Sequence, residues 1–256
     1  MARSTQRHPF AGAVRIRARE LVRRPSVVAL FLLQATVTAV LDGMLFVEVS
    51  AGGAEHASFV LRGLQAAVVP GGLLFGVLAA AVVGAEFNWA TERALLSRDP
   101  RRQRFVALQL TIVAALMVAW IAVQALVAIG AGLGLRALAG PLGPELDALA
   151  ASGLPLAAVA GATVFYGLLG SACALGFRGG LAGVVGVLTY GLLGELVLGP
   201  LWRPAAQLTV YTAATSLAGQ AVRAVPVGQA LIVLVASAIL ALLAAFAVYS
   251  GREVRE

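Results

Sequence analysis

Six apolar runs set the terms for this chain. They cover residues 27–48, 64–85, 103–130, 153–177, 181–199 and 228–250. Each is long enough to cross, as a helix, a hydrocarbon layer about 30 Å thick. Lipid offers the backbone no hydrogen-bond partners, so such a run must satisfy its own amides by coiling. The chain is 60% hydrophobic and 12% charged, where a soluble domain carries about 25% charged residues. That is too little polar surface for a water-soluble fold. The expected class is an all-α polytopic membrane protein of six transmembrane helices, one transmembrane domain over residues 1–256.

The net charge of +7 comes from arginine alone, since the sequence has no lysine. Its arginines sit in short segments beside the apolar runs, which points to membrane orientation and not to nucleic acid. If residue 1 lies inside, fifteen of the nineteen arginines are inside too, leaving Arg62, Arg136, Arg203 and Arg223 outside. A multi-pass protein of the cell membrane with both termini cytoplasmic is expected. In the basic segment 1–26, Phe10, Val14, Ala18, Leu21 and Val22 share one helical face, with Arg15, Arg19 and Arg23 roughly opposite. This predicts an interfacial amphipathic helix ended by Pro25. A signal peptide has an apolar core of about 7–15 residues; the run at 27–48 is longer and is read as a retained span.

Within the first run, Gln34, Thr38, Asp42 and Glu48 recur on one helical face. A lipid-facing aspartate costs roughly 2.5–3.5 kcal/mol at the helix centre, so this face should look into protein or water. An inter-helix hydrogen-bond seam and a substrate path fit it equally. Pro70-Gly71-Gly72 predicts a kink or an irregular turn in the second span. Residues 131–152 read as an outer loop. Arg178-Gly179-Gly180 reads as a tight inner turn, and Gly176, Gly179, Gly180 and Gly183 give small-residue spacings that permit close helix contact. Residues 200–227, broken by Pro200, Pro204 and Pro226, predict short helices at or dipping into the outer face. Glu195, near the outer end of the fifth run, reads either as part of an outer gate or as a locally paired carboxylate.

The residues offer no catalytic constellation. His8 and His56 lie in the basic segment and an outer loop, and Cys173 is the single cysteine. No metal-ligand cluster is present, and a lysine-dependent phosphate loop is impossible. Ser171, between Gly170 and Ala172, reads as packing. No enzyme activity and no cofactor or metal are expected in this chain.

The charged interruption at 84–104 carries the most specific signal. From Glu86 to Leu96 there is no glycine or proline, and Asp99-Pro100 ends the helix. Phe87, Ala90, Ala94 and Leu95 lie along one side, with Glu92, Arg93 and Arg98 as polar partners. This stretch resembles the permease subunits of ABC transporters of the type-2 exporter class. The matching residues are Glu86, Phe87, Ala90-Thr91, Leu95-Leu96, Pro100 and Arg101 or Arg102. Ala90 stands where that class has glycine, and Gln109 where it often has lysine.

The resemblance implies a cytoplasmic coupling helix over 86–100 and a re-entrant segment over 200–227. Two permease subunits, identical or related, would pair in the bilayer above two ABC ATPase subunits, which would carry the ATP and Mg. Glu86, Phe87, Trp89, Thr91, Arg93, Leu95 and Arg98 would meet the ATPase. Gln34, Thr38, Asp42 and Phe46, with Glu195, would line or gate a path at the permease interface for an exported drug, peptide or lipid. Two other readings compete. One is an ion-coupled secondary carrier using Asp42 or Glu195, although no internal repeat of the kind such carriers show is visible. The other is a non-transporting membrane assembly or sensor protein whose basic helices bind anionic lipid.

Overall fold

A computed structural model of the chain describes residues 12, 19–21, 23–52, 58–88, 102–139, 147, 149, 151–198, 201, 206–219 and 225–250. They form helices α1 (Pro25–Gly52), α2 (Phe59–Asn88), α3 (Arg102–Ala139), α4 (Gly153–Phe177) and α5 (Gly180–Leu188). A π-helix, Thr189–Leu198, continues α5, and α6 (Val210–Leu217) and α7 (Val227–Ser250) follow. No strand occurs among the described residues. Five of the helices, α1, α2, α3, α4 and α7, are long and apolar enough to cross a membrane.

α2 is the central element. It packs most extensively on α4 and also meets α1, α3 and α5. Its apolar window is 61% buried inside the protein, against 22% for α1 and α7, so the latter two belong to the periphery. Glycine permits the closeness. Gly170 of α4 abuts the Gly76 carbonyl, and Gly84 of α2 abuts the backbone of Gly180, leaving no room for a methyl at Gly84 or Gly170. The core has two main parts. Phe75, Val83, Phe105, Trp120 and Leu175 fill one, which Leu21 and Val27 also join. Val68, Tyr166, Val187, Ala214 and Leu234 fill the other. Beside Leu21, Arg19 and Glu20 are exposed.

Three expectations need correction. The helix of the third run does not stop at 130; α3 reaches Ala139. Gly132 rests on the backbone of Val60, where a methyl would come within 2.7 Å of the Val60 Cα, so packing holds a segment that glycine content would loosen. At 38 residues, α3 is about 57 Å long and outruns a bilayer core. Of the kink or irregular turn expected at Pro70, the irregular turn is absent, because α2 continues helical through it. The fifth run is not a uniform α-helix; from Thr189 it widens into ten residues of π-helix.

The turn between α4 and α5 is as tight as its sequence suggests, but the left-handed residue is Arg178 (φ 51°, ψ 42°), not a glycine. The Arg178 and Gly179 amides both donate to the Ala174 carbonyl, the latter at 3.2 Å. Left-handed backbone costs a non-glycine residue roughly 1–2 kcal/mol, offset here by capping the last turn of α4.

Candidate functional site

Two polar constellations lie inside this apolar bundle. The first is a seam shared by α1, α2 and α3. Gln34, Thr38 and Asp42 are each no more than 2% exposed, so the polar face of α1 turns inward. The Gln34 amide nitrogen donates to the Thr38 hydroxyl at 3.1 Å. The Asp42 carboxylate occupies the volume that a side chain on Gly63 of α2 would need.

From the other side, α3 braces α2 at its proline. Pro70 has no N–H to give the preceding turn, which weakens a helix locally. The Trp120 indole donates to the Gly71 carbonyl at 3.1 Å, and the Gln124 amide donates to the Ala67 carbonyl at 2.5 Å. Donors four residues apart on α3 therefore meet carbonyls four residues apart on α2, on either side of Pro70. Gly71 leaves the gap that the Gln124 side chain fills. Phe31 of α1 packs edge-on against Trp120, ring centroids 4.9 Å apart.

Several atoms of this region are buried without a hydrogen-bond partner: Gln34 Oε1, both Asp42 carboxylate oxygens, Gln124 Oε1 and, further along α3, Gln109 Nε2. Buried polar atoms are rarely left so. Gln124 and Trp120 escaped sequence reasoning. Their one signal was two residues with polar tips, one helical turn apart, in the apolar stretch that follows Thr111.

The second constellation centres on Glu195, 2% exposed. Its carboxylate accepts the hydroxyl of Tyr166 from α4, and the Tyr190 hydroxyl of its own π-helix lies close by. It also accepts the backbone amide of Val210 at 3.0 Å. That amide opens α6, whose preceding residue Thr209 accepts the Thr212 amide at 3.2 Å. A carboxylate facing a helix N-terminus is stabilised by the helix dipole, by about 0.3–1 kcal/mol and more when partly buried. Phe165 packs on both tyrosines, ring centroids 5.3 and 5.5 Å away. Glu195 is thus a locally paired carboxylate that ties α4, the π-helix and α6 together.

These contacts give α6 its direction. Its N-terminal end lies at Tyr166, which packs against Gly72 of α2. At its other end, the Ala218 carbonyl accepts the Gln65 side chain of α2. Gln65 and Gly72 are about 10 Å apart along α2, and eight residues of α-helix span about 12 Å. So α6 stands alongside α2 and does not lie flat across the end of the bundle.

Of the candidate coupling residues, Glu86 and Phe87 belong to the last turn of α2. Glu86 is 3% exposed, and Phe87 packs edge-on against Phe105 of α3, centroids 6.2 Å apart. Trp89, Thr91, Arg93, Leu95 and Arg98 lie outside the described residues. Phe46 falls within α1, but its side chain also lies outside them. Among the described residues, no group of three or more histidines, cysteines or carboxylates could hold a metal ion.

No protein-family model and no curated protein matches this chain.

Proposed function

We propose that the chain is the transmembrane permease subunit of an ATP-binding cassette exporter. In this reading it crosses the cell membrane six times, α5 with its π-helix forming the fifth crossing, and both termini are cytoplasmic. Two copies, or this chain and a related one, pair and enclose a path for an amphiphilic drug, peptide or lipid. Separate ATPase subunits supply ATP and Mg and grip residues 86–100.

The observation that carries the reading is α6. A short helix stands upright between the fifth and last crossings, where the resemblance expects a re-entrant element. The root of the charged segment adds mechanical sense. Phe87 against Phe105 ties α2 to α3 where the segment begins, so a push on residues 89–101 would reach two long helices at once.

The test is co-purification with the cognate ABC ATPase, and stimulation of its turnover, using Leu95→Asp and Arg98→Glu. Phe87 is a poor choice, because its substitution also damages the contact with α3. Both variants should insert normally yet lose the ATPase. If both retain it and stimulate turnover normally, the coupling role is wrong. An ion-coupled carrier is the second reading, favoured by the unpartnered Asp42 carboxylate. Substrate movement in vesicles under a proton gradient without ATP would establish that instead.

A further inference from the structure

We infer that the seam between α1, α2 and α3 binds a protonated amine, with Asp42 as its counter-charge. This deepens the permease reading by naming a substrate class. It rests on that reading for transport, but not for binding.

The chemistry of the leftover atoms selects the ligand. Asp42 is 2% exposed, and neither of its carboxylate oxygens has a partner. Gln34 and Gln124 spend their amide nitrogens on Thr38 and on the Ala67 carbonyl. That leaves a carbonyl oxygen on each, also unpartnered. With Asp42 ionised, all four unsatisfied atoms along the seam are acceptors and one group is anionic. An occupant must therefore bring donors and positive charge. An anion would be repelled, and an alcohol brings a donor without charge.

A bare metal ion needs several oxygens around one point. The seam does not offer that. Asp42 sits over Gly63 and Gln124 over Gly71, eight residues and so about 12 Å apart along α2. An ammonium group has three N–H bonds to direct and can pair with the carboxylate alone.

The backbone of α2 makes room for the carboxylate. Gly63 is cut away where the carboxylate rests, and a methyl there would overlap it. Gly63 is also only about 6 Å along α2 from its first residue, Phe59. The charged end of the seam is therefore near the start of α2.

The test is calorimetric titration of the full chain in phosphatidylcholine nanodiscs with octylammonium. Octanol serves as the uncharged control, and sodium chloride as a separate titrant. The wild type should bind octylammonium saturably and octanol without saturation. Asp42→Asn should weaken ammonium binding by about ten-fold or more, Asp42→Glu should largely keep it, and Glu195→Gln should leave it unchanged. Equal ammonium binding by wild type and Asp42→Asn overturns the proposal, as does saturable sodium binding that displaces the ammonium. Should Asp42→Asn fail to fold, thermal melting of the wild type decides. Octylammonium should raise the melting temperature more than octanol does, and equal shifts overturn the proposal. Binding is read without an ATPase, so its failure and a failure of the coupling experiment are separately visible.

Discussion

Tyr166 and Glu195 lie on different elements, and the Tyr166 hydroxyl donates to the Glu195 carboxylate, a buried bond that joins α4 to the π-helix. Tyr190, five residues before Glu195, has its hydroxyl close to the same carboxylate. On an α-helix, residues five apart point about 140° away from one another, whereas i→i+5 bonding brings them nearer to one face, so the π-helix Thr189–Leu198 allows that closeness. Tyr166→Phe removes one donor and leaves the Val210 amide in place. It should cost about 0.5–1.5 kcal/mol.

Glu195→Ala is a different perturbation, because it strands every donor that the carboxylate serves. Each buried donor left unmade costs about 1–3 kcal/mol, so this variant should melt well below Tyr166→Phe in the same detergent. If the two melt alike, the carboxylate is not the tie between α4, the π-helix and α6.

Gln124 and Gly71 form a lock in which each residue needs the other. Gly71→Ala should expel the Gln124 amide and lose its bond to the Ala67 carbonyl, beside a proline that already weakens α2. Gln124→Ala loses the same bond but opens the space. The double variant should therefore be less destabilised than the sum of the singles, with a coupling of about 0.5–3 kcal/mol. Additive melting shifts would show that the two sites are independent.

Much of this was legible because it depends on local pattern. Apolar run length marks the five long helices, and Gln34, Thr38 and Asp42 at four-residue spacing announced an inward face on α1. The turn at Arg178 was marked by its glycines, although the left-handed backbone fell on the arginine. What could not be read depends on which helix stands opposite. Trp120 and Gln124 look like scattered polar residues until Pro70 is brought beside them. The widening at Thr189 follows from where Tyr166 and Val210 lie relative to Glu195, which no short window of sequence contains. The end of α3 at Ala139 depends likewise on Val60.

Close glycine contacts in α2 and open ones in α3 should respond oppositely to the same change. A methyl at Gly84 meets the backbone of Gly180, which cannot move aside as a side chain could. Gly84→Ala should lower the melting temperature and loosen α2 from α5. Gly130→Ala has open space around it and gains about 0.5–1 kcal/mol of helix preference. If both substitutions prove neutral, the α2–α5 approach is looser than described.

Whether α6 is re-entrant can be read from two side chains that the bare protein leaves exposed. Leu208, just before the N-terminal end of α6, is 66% exposed, and Val227, at the start of α7, is 46% exposed. Leu208 is two residues from Val210, which bonds Glu195 at the level of Tyr166, roughly midway along α4. With α6 upright in the membrane, that side chain faces lipid at depth although no protein covers it. In a Cys173→Ala background, cysteine at 227 should react rapidly with a membrane-impermeant maleimide added from outside. Cysteine at 208 should stay protected in the bilayer and react only after transfer to denaturing detergent. A helix lying flat at the surface would leave both positions open to the reagent, and equal labelling rates would remove the re-entrant element on which the permease reading chiefly rests.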